Sequence, residues 1–152
     1  KYVMALMNGA RLGIAAQSVG LSQAAYNEGL AYAKDRKQFG KAIAGFQNTQ
    51  FQLADMATKA QAAQLLVYKA ACKKDQYQKD HKTAYGVEAA MAKLYAAEMA
   101  MEVTTKAVQL HGGYGYTREY DVERMMRDAK ITEIYEGTSE VQRMVISADL
   151  LK

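Results

Sequence analysis

The protein has 152 residues and a mass of 16.8 kDa, which is the size of a single domain. Half of the residues are hydrophobic and 24% are charged, a balance that excludes a disordered chain. Lysine and arginine number 20 against 16 aspartates and glutamates, and the two signs interleave, which argues against a nucleic-acid-binding face. With no proline and only 11 glycines, the composition also disfavours a sandwich or barrel of many short strands.

The sequence also gives expectations about membrane spans, the single cysteine, the start of the chain and the cellular location. No apolar run reaches the roughly 18–20 residues of a membrane span. Cys72 is the only cysteine, so an internal disulfide is impossible, and its position in a helical run predicts a buried, inert thiol. Lys1 is neither an initiator methionine nor part of a signal peptide pattern, so we expect a piece of a longer chain. The expected location is the bacterial cytoplasm, or the mitochondrial matrix for a eukaryotic source.

Apolar residues recur at helical spacing in three long runs, residues 2–34, 47–74 and 83–110. The predicted inward faces include Leu6, Phe51 and Leu65. A glycine-bearing break separates the first two runs, and the polar stretch 75–82 predicts a turn before the third. Helices of this length must pack antiparallel to bury their apolar stripes.

The pattern changes after the third run. A glycine-aromatic loop is predicted at 111–116, a short helix at 121–131 and a break at 135–138. Ser139 and Gln142 have capping-box spacing and predict the start of a last helix. The sequence therefore predicts an all-α fold, an up-and-down four-helix bundle with an additional short helix, formed by residues 1–152 as one domain.

Two common kinds of site find little support. A di-iron bundle needs Glu-x-x-His pairs, but the residues three before His81 and His111 are not glutamates, so no metal site is predicted. The glycines of the 111–116 loop would let backbone N–H groups approach an oxyanion. Their spacing is not that of a dinucleotide-binding fingerprint, and a tight turn between helices explains them better.

Glu136 is a candidate general base. It lies at a predicted helix break, beside Gly137 and close to Ile134. A carboxylate held among apolar groups becomes a stronger base near neutral pH. The competing interpretation is an ordinary turn glutamate that faces solvent.

Four segments carry a recognisable pattern: Arg36-Lys37-Gln38-Phe39-Gly40, the run 109–116, Arg127-Asp128-Ala129-Lys130-Ile131, and the run 134–143 that contains Tyr135-Glu136-Gly137-Thr138. In this order, and over essentially the whole chain, they resemble the carboxy-terminal helical domain of the acyl-CoA dehydrogenase family. The resemblance is greatest to the short-chain (butyryl-CoA) branch, whose members carry a helical domain and a β-domain ahead of this one.

The resemblance implies an FAD enzyme that oxidises a short-chain acyl-CoA to its trans-2-enoyl form. In this family a glutamate at the Glu136 position removes the α-proton, while the β-hydrogen leaves as hydride to the flavin. The backbone N–H of that glutamate helps to bind the thioester carbonyl. Some relatives place the base on the first helix instead, where this chain has Ala10.

The resemblance also implies ligand contacts. Those to the pyrophosphate side and to the adenine side of FAD are expected to come from the neighbouring subunit of a dimer. The pyrophosphate side is matched by Arg36, Lys37, Gln38 and Phe39, with a further contact at Phe46 and Gln47. The adenine side is matched by Gln109, Leu110, His111, Gly112 and Gly113, where His111 is interpreted as a non-catalytic loop residue. The start of the last helix is matched by Thr138, Ser139 and Glu140. Substrate contacts are implied for Arg11, Gly137 and Asn8, although the family usually has aspartate at the last position.

The implied partners are the acyl-CoA substrate, electron-transferring flavoprotein as electron acceptor, and further copies of the chain in a dimer or tetramer. Three alternatives stay open. An acyl-CoA oxidase would use the same base, and a flavin monooxygenase of similar fold would generally lack it. A non-catalytic helical oligomerisation or interaction module describes the isolated piece, which we expect to be inactive.

Overall fold

The computed structural model describes residues 2–152, with side chains from Leu6 onward. Five α-helices form within these residues: α1 (Tyr2–Asp35), α2 (Gln47–Asp80), α3 (Gly86–His111), α4 (Val122–Thr132) and α5 (Ser139–Leu150). Two strands of two residues each, β1 (Lys37–Gln38) and β2 (Lys41–Ala42), pair as an antiparallel hairpin between α1 and α2. The all-α prediction is confirmed.

The third helix is the centre of the domain, because α3 packs against each of the other four helices. Its buried positions are mostly alanine, and small side chains let neighbouring helices approach closely. Larger side chains fill the remaining space, among them Met56, Met99 and Val103, which are at most 3% exposed. The fully buried alanines of α3 are Ala89, Ala90, Ala92, Ala96, Ala97, Ala100 and Ala107.

The buried stripe of α1 contains two serines. The Ser18 hydroxyl donates to the Ile14 carbonyl at 2.9 Å, and the Ser22 hydroxyl donates to the Ser18 carbonyl at 2.8 Å. Because each hydroxyl is satisfied within its own helix, these polar residues can lie in the core at little cost. They give α1 a narrow contact face toward α3.

The predicted turn at 75–82 is wrong for most of its length, since α2 continues to Asp80. The stretch is polar, but it contains neither glycine nor proline to stop a helix. His81 ends the helix in a left-handed conformation with φ of 53°, and its N–H donates to the Tyr77 carbonyl. The Asp80 carboxylate then accepts from the backbone N–H groups of Lys82 and Thr83, which turns the chain toward α3.

Several predicted core positions are exposed. Leu6, Phe51 and Leu65 retain more than half of their accessible surface, and Cys72 is exposed rather than buried. The reason is geometric, because Cys72 lies two helical turns after Leu65 and so shares its outward face. The face of α2 that does reach the core carries Leu53, Met56, Ala60, Ala63, Val67 and Ala70.

The N-cap of the last helix lies one residue before the position predicted from the capping-box spacing. Thr138 is the N-cap, and its hydroxyl oxygen accepts from the Val141 N–H at 3.4 Å, while Ser139 is already helical and buried. The Gln142 side chain does not complete a capping box. It is fully buried and donates to backbone carbonyls of the preceding loop.

Candidate active site and cofactor pocket

Glu136 lies in the short loop between α4 and α5 and has a left-handed backbone, with φ of 55°. This conformation costs a residue with a side chain about 1–2 kcal/mol, so the surrounding contacts must hold it in place. Gly137 follows with φ of 94°. A Cβ at Gly137 would also lie 2.8 Å from Gln142 Nε2, so both its backbone and its surroundings require glycine.

The carbonyl of Gly137 anchors this loop to the core. It accepts a hydrogen bond from Lys93 Nζ at 2.7 Å and another from Gln142 Nε2 at 2.8 Å. Both donor side chains are fully buried. Burial lowers the pKa of Lys93, while the negative charges of nearby glutamates, Glu133 above all, act in the opposite direction.

Arg11 on α1 is within electrostatic reach of Glu136. The guanidinium is only 4% exposed, and its Nη1 donates to Asn8 Oδ1 at 3.1 Å. Burial lowers the pKa of Arg11, and the charge of Glu136 opposes that shift. Arg11 Nε is buried and has no acceptor among the described residues, so this site offers an unused donor beside the candidate base. The structure thus brings together Glu136, Gly137, Arg11 and Asn8.

A cleft of about 520 Å³ opens beside Asn8 and Arg11. It lies between the ends of several helices, and the aromatic side chains of Tyr77 and Tyr85 contribute to its wall. Glu136 is not among its lining residues. The cleft therefore extends the region next to Arg11 but does not enclose the candidate base.

A second pocket, of about 470 Å³, gathers residues that are far apart in sequence. It joins Arg36, just after α1, to the end of α3 and the 3-10 turn Gly112–Tyr116. Seven of the residues predicted for FAD line it: Arg36, Gln38, Gln109, Leu110, His111, Gly112 and Gly113.

The chemistry of this second pocket fits a diphosphate. Arg36 Cζ lies 5.4 Å from the Tyr114 ring centroid, and within residues 6–152 no carboxylate forms an ion pair with Arg36. A Cβ built at Gly112 or at Gly113 would meet no atom within 4 Å, so the backbone there faces open space. An unpaired guanidinium beside accessible backbone is the arrangement that anionic phosphate oxygens favour.

His111 is the last residue of α3 and is 3% exposed, which corrects its interpretation as a loop residue. Its ring stacks on Tyr32 at 4.1 Å, and Nδ1 is 2.8 Å from the Ala107 carbonyl. Tyr32 also lines the pocket, and sequence reasoning missed it. Its position one helical turn before Arg36 is the signal that could have identified it.

Four of the predicted cofactor residues lie around the hairpin and line neither the cleft nor the second pocket: Lys37, Phe39, Phe46 and Gln47. Lys37 and Gln47 are exposed. Phe39 is 92% exposed at the hairpin tip with φ of 52°, and its ring meets the Phe46 ring edge-on at 6.2 Å. The edge contact with Phe46 leaves most of the Phe39 side chain exposed.

The start of α5 forms a third, smaller depression of about 210 Å³, lined in part by Thr138, Ser139 and Glu140. Hydrogen bonds from its own backbone N–H and from the Thr138 hydroxyl lower the pKa of Glu140. Ser139 Oγ is buried and has no partner among the described residues. Ten of the fourteen predicted cofactor residues thus line two separate pockets of one chain, and the other four lie around the hairpin.

Among the described residues, no group of three or more histidine, cysteine, aspartate or glutamate side chains could hold a metal ion. None of the helices described combines the length and apolar character that crossing a bilayer requires.

Comparison with known proteins places these features in a family. The family model described as acyl-CoA dehydrogenase, C-terminal domain, matches residues 1–151. A short-chain-specific acyl-CoA dehydrogenase from Clostridium acetobutylicum is 56% identical over 149 residues, which are 98% of this chain and 38% of that protein. The caffeyl-CoA reductase-Etf complex subunit CarC from Acetobacterium woodii is 58% identical over 142 residues, 93% of this chain and 36% of that protein.

The solved structure of butyryl-CoA dehydrogenase from Megasphaera elsdenii superposes with a TM-score of 0.92 at 52% identity. The match covers 98% of this chain and 38% of that one, so the chain spans well under half the length of the relatives it matches. This chain belongs to the acyl-CoA dehydrogenase family and has the fold of its C-terminal helical domain.

Proposed function

We propose that this chain is the carboxy-terminal part of an FAD-dependent dehydrogenase that converts a short-chain acyl-CoA to the trans-2-enoyl-CoA. The observation that carries the proposal is Glu136, held with a left-handed backbone in an anchored loop and facing the charge of the buried Arg11. The similarity to short-chain-specific and butyryl-CoA dehydrogenases supports the choice of a short acyl chain.

Glu136 is proposed to accept the α-proton of the thioester. An α-proton of a thioester is a weak acid, so negative charge that develops on the thioester oxygen must be stabilised as the proton leaves. The backbone N–H of Glu136 is the proposed donor to that oxygen. Arg11, with an unpaired Nε and a nearby Asn8 amide, is proposed to line the substrate cleft on the opposite side.

FAD, when bound, supplies the acceptor for the hydride that leaves the β-carbon. Arg36 and the backbone at Gly112 and Gly113 are proposed to hold its pyrophosphate and adenine side. The start of α5, with Thr138, is proposed to contact another part of the cofactor. Since these are separate pockets of one chain, we propose that two copies of the protein contribute to each FAD, as expected of a dimer or tetramer.

Electron-transferring flavoprotein is the proposed redox partner. One similar relative is itself a subunit of a complex with Etf, according to its name. That relative is a reductase, and its identity of 58% favours a second candidate function, reduction of an enoyl-CoA. In that direction the same Glu136 would donate the α-proton rather than accept it, so the proposed site residues are unchanged.

The test uses the full-length enzyme with bound FAD under anaerobic conditions. Mixing with butyryl-CoA should bleach the flavin absorbance within the time of a stopped-flow experiment. Pivaloyl-CoA, which has β-hydrogens but no α-proton, is the matched control and should leave the absorbance unchanged. If chemically reduced enzyme is reoxidised by crotonyl-CoA while butyryl-CoA bleaches nothing, the reductase is supported. If neither reaction occurs, the proposed function is wrong.

A further inference from the structure

We propose that Lys93 is a positioning residue for Glu136, fixing the backbone of the base loop and placing a positive charge beside it. The inference rests on the proposed function of Glu136 as the base. Lys93 lies on α3 and donates to the carbonyl of Gly137, the residue after Glu136 in the loop before α5, so this contact joins the central helix to the candidate active site.

The geometry of the Lys93 contact is that of an anchor. Lys93 is the largest side chain that is fully buried, and its Nζ lies 2.7 Å from the Gly137 carbonyl oxygen. Gln142 donates to the same oxygen at 2.8 Å and approaches the Glu136 carbonyl at 3.4 Å. Two buried donors therefore fix the peptide between Gly137 and Thr138, directly after two consecutive residues with positive φ.

The choice of lysine at this position needs a reason beyond hydrogen bonding. The Gly137 carbonyl already has a neutral donor in Gln142, and a methionine would fill similar space without the cost of burying a cation. Buried cations are retained where neighbouring charges compensate them. Lys93 has such neighbours, which suggests that its charge, as well as its hydrogen bond, acts on the loop.

Four charged side chains affect the pKa of Lys93. Glu133 lies at the end of α4, Glu136 in the loop and Glu140 at the start of α5, and all three oppose the effect of burial on the pKa of Lys93. Arg11, on α1, acts in the same direction as burial. With three carboxylates against one guanidinium, the charge of the Lys93 ammonium is compensated at this site.

The experiment compares Lys93→Met with Lys106→Met in the full-length holoenzyme. Lys106 is also on α3, but it forms ion pairs with Glu102 and Asp55, away from the loop. In Lys93→Met, hydrogen exchange at the amide of Ser139, which donates to the Glu133 carbonyl across the loop at 3.1 Å, should accelerate about 10-fold or more, since the anchor of the loop is lost. The pH of half-maximal flavin reduction by butyryl-CoA should rise, because a nearby cation has been removed. Lys106→Met should change neither quantity.

The two readouts separate the possible failures. If loop exchange and the pH midpoint in Lys93→Met both match wild type, Lys93 only fills space and the proposal is wrong. If no acyl-CoA reduces the flavin of the wild-type enzyme, the proposed function is wrong. Hydrogen exchange still tests the role of Lys93 in that case, and unchanged exchange in Lys93→Met would show that Lys93 does not anchor the loop. Lys93→Gln, which keeps a polar group without the charge, replaces the methionine variant if that protein does not fold.

Discussion

The hydroxyl of Tyr135 donates a hydrogen bond to Gln17 Oε1 at 2.9 Å, which joins the base loop to α1. Lys93 joins the same loop to α3 on the other side of Glu136. The candidate base therefore sits between two attachments to two different long helices. A loop attached in this way keeps its unfavourable backbone conformation without help from a ligand.

Glu136→Gln should abolish most of the proposed chemistry while leaving the fold intact. Glutamine keeps the shape and the backbone N–H, but it cannot accept the α-proton. Loss of a general base typically costs about 10²–10⁴-fold in rate, and Ala10 offers no second carboxylate at the alternative family position. Stopped-flow flavin reduction by butyryl-CoA measures the step directly. Glu28→Gln, an exposed change on α1, is the control, and near-normal bleaching by Glu136→Gln would place the base elsewhere.

Arg36→Ala should weaken FAD retention in the full-length enzyme far more than it weakens folding. A charge-assisted contact from arginine to phosphate contributes about 1.5–3 kcal/mol, which is roughly 10–150-fold in affinity. Equilibrium dialysis of FAD, with flavin fluorescence as the readout, measures the loss. Arg124→Ala removes an exposed arginine of α4 and serves as the control. If both variants hold flavin as tightly as wild type, Arg36 does not bind the cofactor.

Gly115→Ala should destabilise the protein, because a Cβ at this position would lie 2.5 Å from the Val108 carbonyl oxygen. The neighbouring atom is backbone, so it cannot move away cheaply, and overpacking of this kind costs about 1–3 kcal/mol. Gly20→Ala on α1 meets no atom within 4 Å and should be neutral or stabilising by up to about 1 kcal/mol. Urea unfolding of the two variants gives the comparison, and equal midpoints would contradict the steric argument.

The ion pairs around Glu102 should add a small, pH-dependent contribution to stability. A hydrogen bond from Lys59 lowers the pKa of Glu102 from its usual 4.5, and Lys106 adds to the effect. A lowered carboxyl pKa stabilises the fold above the ordinary value, and this contribution is lost as the pH falls through the lowered one. The side chain is 40% exposed, so we expect less than about 1 kcal/mol.

The measurement for this ion-pair prediction is the difference in urea-unfolding free energy between wild type and Glu102→Gln as a function of pH. The difference should be constant near neutrality and should shrink once the pH drops below 4.5, the usual value for the group. A difference that grows in acid would show that the sign is wrong.

The isolated 152-residue domain should be strongly helical and should unfold cooperatively, without retaining FAD or oxidising acyl-CoA. Large apolar side chains are exposed on it, including Phe39, Met144 and Leu151, so it should self-associate. Circular dichroism, analytical ultracentrifugation and the flavin absorbance of the purified domain test these statements. Stoichiometric FAD in the purified domain would contradict this prediction.

The helices could be predicted from the sequence because their apolar spacing is long and regular. The exposed face of α2 could not, since Leu65 and Cys72 follow the same period as the buried residues beside them. Periodicity reports that a stripe exists, but which stripe meets α3 depends on packing. The helical continuation to Asp80 could not be predicted for a related reason, because a polar segment is compatible with either an exposed helix end or a turn.

The candidate site was predictable at the level of motifs. The residues 109–113 and Arg36, which the resemblance assigns to one cofactor, line one pocket. The roles of Lys93 and Tyr32 were not predictable, because a lysine within an apolar helix gives no sign of the carbonyl it contacts more than 40 residues later. Long-range contacts of this kind depend on the loop conformation, which only the folded chain defines.

The alanine-rich face of α3 restricts which amino acids the central helix can accept. Any larger residue at Ala89, Ala96 or Ala100 would separate backbones that now lie close together, whereas the outer positions of the same helix are free of this limit. Since Lys93 lies on the same helix, such a displacement would also be transmitted to Gly137. Random mutagenesis of α3 should therefore yield variants that fold with altered catalysis, even though the substituted alanines line none of the pockets described above.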